Sequence, residues 1–185
     1  MSDNRKLNVV DENGGILGEE TRENIHNQGL LYREIHVWFY TPNGEIIFQH
    51  RAQDKDTYPN LLDATVGGHV EIGSNYEKTA LQEVEEETGV KLQKDDLIFI
   101  KIDRTNFFDE QTKKRNNTLR AIYTYCYRGK VENLQIEKGK AIGFELWPLQ
   151  SIFHLNVFDK DRKRFIPAIF EKQNLESFAR IKELL

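Results

Sequence analysis

Cysteine is almost absent. Cys126 is the single one in 185 residues, which excludes an intrachain disulfide framework and a multi-cysteine zinc site. Long apolar runs are missing too: none approaches the ~20 residues that cross a bilayer, and Met1 to Gly15 is too polar for a signal peptide. No excess of positive charge exists either. The 26 Lys and Arg stand against 30 Asp and Glu, a formal net charge of -4, which argues against nonspecific nucleic-acid binding through displaced counterions. A small phosphorylated ligand held through a metal stays open. Internal repeats and low-complexity linkers are also lacking. What is present is bulk: hydrophobic residues make up 38%, and 11 Phe, 7 Tyr and 2 Trp supply a core that disordered chains do not have. The length suits one domain, and a cytoplasmic location is the expectation.

Lys6 to Val10 and Ile16 to Glu20 predict a hairpin around Asp11-Glu12-Asn13-Gly14-Gly15, because Asn and Gly accept the positive φ of a tight turn. A short helix follows from Thr21 to Gln28, closed by Gly29. Ile35 to Tyr40 and Glu45 to His50 predict a second hairpin across Thr41-Pro42-Asn43-Gly44. Arg51 to Asn60 is polar and reads as a loop. The pattern from Asn75 to Thr88 is helical, with Gly89 just past its end. Leu97 to Arg104, Thr118 to Tyr127 and Ala141 to Trp147 read as strands separated by loops. From Leu149 onward two or three helical segments are expected, with Pro167 near the start of one and Asn174 between two. The mixture points to an α+β or α/β sandwich.

Taking about 100° per residue along the second of these helices places Glu83, Glu86 and Glu87 within an arc of about 100°. Ala80, Leu81, Val84 and Thr88 form the apolar stripe beside it. Like charges at this spacing destabilise an isolated helix by ~0.2–0.5 kcal/mol per pair, so a divalent cation on the face would explain it. A solvated acidic face is the simpler account of such a run taken alone. Glycines at fixed distances on either side alter that balance, since they let backbone approach a ligand.

The segment Gly68 to Val90 resembles the Nudix box. That pattern is Gly, five residues, Glu, seven residues, then Arg, Glu, an apolar residue, any residue, two Glu, any residue, Gly and an apolar residue. Gly68, Glu83, Val84, Glu86, Glu87, Gly89 and Val90 match seven of its nine specified positions. The resemblance implies an α/β/α Nudix sandwich of α+β class, with a mixed central sheet, a loop-helix-loop and C-terminal helices. It implies residues 1–158 as the Nudix domain and 159–185 as a helical extension packed on it. It further implies that Glu83, Glu86 and Glu87 ligate Mg²⁺ or Mn²⁺ and cleave a pyrophosphate bond in a nucleoside diphosphate derivative or related small molecule. For the general base, the candidates are a box glutamate or an acid in the Asp103 to Glu110 loop. No membrane partner is expected, and a homodimer is admitted.

Two positions depart from the pattern. Ser74 stands for its first glutamate, where a capping box with Glu77 explains it, although Asn75 is an alternative cap. Gln82 stands for the arginine that orients the glutamates in the family by ion pairing, and a neutral amide offers only hydrogen bonds. Weakened or altered metal binding, more than its abolition, is therefore expected, and a binding or regulatory module is the rival to a hydrolase.

Residues outside the box resemble the Nudix branch related to type I isopentenyl diphosphate isomerase, including Gln49-His50-Arg51, Lys55 to Pro59 and Gly67-Gly68-His69-Val70. The resemblance implies that Arg51 and Lys55 contact the diphosphate, with Gly67, Gly68 and His69 beside it. His69 is either a phosphate contact or a structural histidine. Isomerase chemistry itself is disfavoured, because the required cysteine is Gly67 and the second-metal positions are Tyr32 and Asn116. Cys126 is expected to be buried and inert. Trp38, Tyr58, Phe107 and Phe108 are candidates to stack a base, although aromatics at strand positions more often build core.

Overall fold

The computed structural model describes residues 4–55, 57–110 and 112–185. The N-terminal hairpin forms as expected from β1 (Lys6–Val10) and β2 (Ile16–Thr21), paired antiparallel. Its turn is held by the Asp11 carboxylate, which accepts from the backbone N–H groups of Asn13 and Gly15 at 2.8 and 2.9 Å. Helix α1 (Arg22–Gln28) is capped by the Thr21 hydroxyl and ends at Gly29, whose φ of 66° is the left-handed conformation glycine tolerates.

The main sheet contains, among the described residues, seven strands. Strand β3 (Tyr32–Tyr40) is central. It pairs antiparallel with β4 (Glu45–Arg51) and β6 (Val66–His69), and parallel with β8 (Lys114–Cys126). Strand β7 (Ile98–Asp109) flanks β8, while β5 (Leu62–Asp63) and β9 (Ala141–Pro148) both pair with β4. The sheet is therefore mixed, as the α+β expectation requires.

Alternation along β3 sorts the two faces. Ile35, Val37 and Phe39 pack with Ala80 and Val84 of α2 (Tyr76–Thr88) on one side. Trp38 and Tyr40 face the opposite way, into a core shared with α3 (Leu149–His154), the turns at Phe165 and Ile169, and α4 (Lys172–Lys182). Phe178 of α4 meets Trp38 edge-on at 4.8 Å. Helices thus cover both faces. Nearer its start, β3 has polar residues on the Trp38 side: Glu34 and His36 lie opposite Arg120 and Ile122 of β8. That polar stretch borders the site.

Several expectations are corrected. The Asp103 to Glu110 loop is largely the continuation of β7, which pairs residue by residue with β8 from Asp103↔Arg120 to Asp109↔Lys114. Asn174 does not separate two helices: it is buried inside α4, and its Nδ2 donates to the Ala168 carbonyl at 2.8 Å. Cys126 is half-buried, not buried, at the end of β8. Asn75, and not Ser74, caps α2, its side-chain oxygen accepting from the Lys78 N–H at 2.8 Å.

Candidate functional site

The loop-helix-loop begins at β6, whose Gly67 and Gly68 lie opposite His36 and Ile35 of β3. Gly68 is required by proximity. A Cβ there would stand 2.4 Å from both Cδ and Oε1 of Glu83, so glycine makes room for that side chain. At the far end of the helix, Gly89 adopts a φ of 71° and its N–H returns to the Glu85 carbonyl.

Two of the three box glutamates converge. Glu87 is buried, with 1% of its surface exposed. Its Oε2 accepts from Gln49 Nε2 at 2.6 Å, and its Oε1 faces the Gly67 N–H at 3.4 Å. The Lys140 ammonium sits 2.6 Å from Glu87 Oε1 and 3.0 Å from Glu83 Oε2, with Glu137 at 3.4 Å. Glu86 takes another course: it is exposed and accepts from Gln82 Nε2 at 2.9 Å. Gln82 therefore holds one glutamate, while the ion pairing of the other two comes from Lys140, a residue that sequence patterning did not single out. The only signal for it was the charge deficit left by Gln82.

Electrostatics follow from burial. Desolvation raises the Glu87 pKa to about 7, with Lys140 opposing it. Burial works against the charge on Lys140 as well, but Glu87 and Glu83 overcome it and raise its pKa above the ordinary lysine value. His69 is pushed well below the usual histidine range by burial, so it stands neutral at pH 7, stacked on Tyr32 with centroids 5.4 Å apart. Burial likewise lowers His36, to about 3.

Above Glu83 opens a cleft of about 540 Å³ whose wall includes Gln49, Arg51, Lys55, Gly67, Gly68, His69 and Lys140. Seven Lys or Arg line it against four Asp or Glu, so the cleft is cationic although the helix at its base is acidic. The expected diphosphate contacts differ from each other. Arg51 spends its guanidinium on the chain: it donates to the Thr57 and Tyr58 carbonyls and to Asp63 at 2.7 Å. Lys55, whose side chain shows no hydrogen-bond or ion-pair partner among the described residues, has its pKa lowered by burial and then by Arg51 and Lys140. A second cavity of about 400 Å³ adjoins the cleft through His36, Arg51 and His69 and continues past Trp38, Tyr58 and Phe107. Phe108 does not line it, and Trp38 is core.

The donors at Glu83 and Glu87 are hard carboxylate oxygens of the kind Mg²⁺ and Mn²⁺ prefer. The close approach that Gly68 permits brings Glu83 to the cleft, and the two side chains share one cation already. In donor chemistry the residues therefore fit a divalent metal. Among the described residues, however, no three His, Cys, Asp or Glu side chains are placed to hold a metal ion as they stand, and Glu86 lies apart from the other two.

A mixed sheet between helices, with a glycine-flanked helix presenting carboxylates at its base, defines the Nudix class. The chain belongs to the Nudix family: the NUDIX domain model matches residues 31–169. It is 28% identical over 140 residues to an uncharacterized Nudix hydrolase of Clostridium acetobutylicum, covering 74% of this chain and 66% of that relative. The chain thus spans just under two thirds of that relative's length. Among solved structures, DR0079 from Deinococcus radiodurans superposes with a TM-score of 0.66 at 19% identity, over 95% of this chain and 98% of that one. The NUDIX domain of Shewanella oneidensis NrtR, complexed with ADP ribose, superposes with a TM-score of 0.57 at 15% identity, over 83% and 88%. At those identities the likeness concerns the fold.

Proposed function

We propose that the chain is a divalent-metal-dependent hydrolase that cleaves a pyrophosphate bond in a nucleoside diphosphate derivative or a related small molecule. One observation carries this: Glu83 and Glu87 converge within 3.0 and 2.6 Å of a single cation at the floor of a cationic cleft. Mg²⁺ or Mn²⁺ bound by these carboxylates would supply Lewis acidity and a water of lowered pKa. Lys55 neutralises phosphate charge, and Arg51, already bonded to Thr57, Tyr58 and Asp63, shapes the loop that carries Lys55. Of the candidate bases, Asp103 and Glu110 line neither cavity and Asp109 only the adjoining one, whereas Glu83 lines the cleft, which favours a box glutamate. The adjoining cavity takes the group attached to the diphosphate. The ADP ribose of the Shewanella neighbour makes nucleotide sugars and dinucleotides the first compounds to screen.

The test is phosphate release from nucleoside di- and triphosphates, nucleotide sugars, dinucleotides and coenzyme A with Mg²⁺ or Mn²⁺. Turnover that disappears in Glu87→Gln and Glu83→Gln supports the hydrolase. Turnover indifferent to metal and to both substitutions refutes it.

A second reading, a diphosphate-binding or regulatory module, is favoured by Gln82 and by the ammonium lodged between the two carboxylates. An inactive parent that binds nucleotide, revived by Gln82→Arg, selects it. The isomerase reading gains no such support. Gly67 offers no thiol, Cys126 lies in register with Tyr40 and not with His36, and Tyr32 donates to Asn116 at 3.3 Å where metal ligands would be needed.

A further inference from the structure

We infer that Lys140 is a resident cation of the acidic site, which a divalent metal must displace and which then turns to the phosphates of the substrate. The inference rests on the metal site proposed above and assigns to that site a residue outside the family box.

The geometry makes ammonium and metal mutually exclusive. Lys140 Nζ shares Glu87 Oε1 and Glu83 Oε2 at 2.6 and 3.0 Å. A hard cation binds such oxygens at roughly 2.0–2.6 Å, so on the same two atoms it would lie in contact with the ammonium. The other oxygen of Glu87, Oε2, already accepts from Gln49 at 2.6 Å. The need for a resident cation is equally clear. Glu87 is buried, and an isolated buried carboxylate is expensive. The neutral Gln82 is occupied with Glu86, so no cation comes from the helix itself.

What can move is the side chain alone. The Lys140 backbone is fixed by its own N–H to the Glu137 carbonyl at 3.1 Å and by the Ala52 N–H donating to its carbonyl at 3.2 Å. Gly139 before it holds a φ of 80°, a conformation other residues rarely adopt. A flexible four-carbon stem on a fixed backbone, in the wall of a cleft shared with Lys55, leaves a displaced ammonium facing phosphate. Metal and phosphorylated ligand then favour the same side-chain position, and each strengthens the binding of the other by the same factor.

The experiment measures Mn²⁺ binding by the free-ion paramagnetic resonance signal. Lys140→Met should bind Mn²⁺ at least about tenfold tighter than the parent, the worth of one charge-assisted hydrogen bond, whereas Lys140→Arg should not. Equal or weaker binding by Lys140→Met overturns the inference. A measurement on the unaltered protein guards against misfolding of the variant: acylation of Lys140, followed by peptide mass spectrometry, should rise when Mn²⁺ is added. Unchanged or reduced labelling refutes displacement. Loss of Mn²⁺ binding in Glu83→Gln and Glu87→Gln upholds the metal site whatever Lys140 does. Persistence of binding in both removes the site, and the inference with it.

Discussion

Arg120→Met offers the sharpest check on the polar wall beside the cleft. Arg120 Nε lies 2.5 Å from Glu34 Oε1, and the side chains are 17% and 13% exposed. Thr118 Oγ1 donates to the same oxygen at 3.0 Å. Burial by itself raises the Glu34 pKa, but the Arg120 charge outweighs it and the group sits below its ordinary value of 4.5. A carboxylate depressed in the folded state contributes stability above its unfolded pKa and loses it as pH falls through the folded one. Removing only the cation strands a largely buried charge, a cost of about 3–5 kcal/mol at neutral pH. For a chain of this size that is a fall in Tm of roughly 6–20 °C. The variant escapes by protonating Glu34, whose pKa then rises, so the deficit should shrink in acid. Replacing both partners, as Glu34→Met with Arg120→Met, should restore much of the loss. Urea denaturation of the four proteins at neutral pH and near pH 5 provides the comparison. A single-variant cost below about 1 kcal/mol, or one that does not change between the two conditions, would refute the reasoning.

Three further outcomes are expected. Gly68→Ala pushes the Glu83 carboxyl from a position 2.4 Å from the new Cβ, so turnover should fall by roughly 10²-fold while Tm barely moves, because the displaced atoms end a flexible side chain; unchanged turnover would remove Glu83 from the site. Burial holds the Glu87 pKa up at about 7, so between the ordinary 4.5 and that value the folded chain keeps a proton the unfolded chain has lost, and stability from this group falls as pH rises. Glu87→Gln abolishes that dependence and should gain on the parent as pH rises through the window, and denaturation curves showing a constant gap would contradict it. Asn75→Ala should cost about 1 kcal/mol in urea denaturation and Ser74→Ala less; the opposite order would return the cap to Ser74.

Elements bounded by glycine were legible in the sequence. Gly29 and Gly89 terminate α1 and α2 where expected, and the hairpin of β3 and β4 turns across residues 41–44. The misplaced elements share a cause: periodicity reports burial, not pairing. Residues 105–109 and 114–117 look like loop because most of them are polar, yet they continue β7 and β8, with Arg115 donating to Asn106 at 2.9 Å and Thr105 meeting Thr118 at 2.5 Å. Asn174 looks like a break for the same reason. Its side chain instead satisfies a carbonyl of the preceding turn from within the helix.

At the candidate site, Glu83 and Glu87 were legible from helical spacing because both belong to one element. Lys140 was not, since it lies 57 residues beyond Glu83 and arrives only because β9 pairs with β4. A local deficit nevertheless pointed toward it. Residues 71–87 hold six Glu and one Lys, and the position that should carry an arginine is Gln82. A buried carboxylate at Glu87 needs a counter-charge, so a cation missing from the helix must come from elsewhere in the fold. The cleft shows where those cations are: seven Lys or Arg from distant segments stand over the acidic helix, and one of them reaches its base. The charge opposing the acidic face is therefore tertiary, and a tertiary cation on a flexible stem can withdraw when a metal arrives, which an arginine packed on the same helix would do less readily.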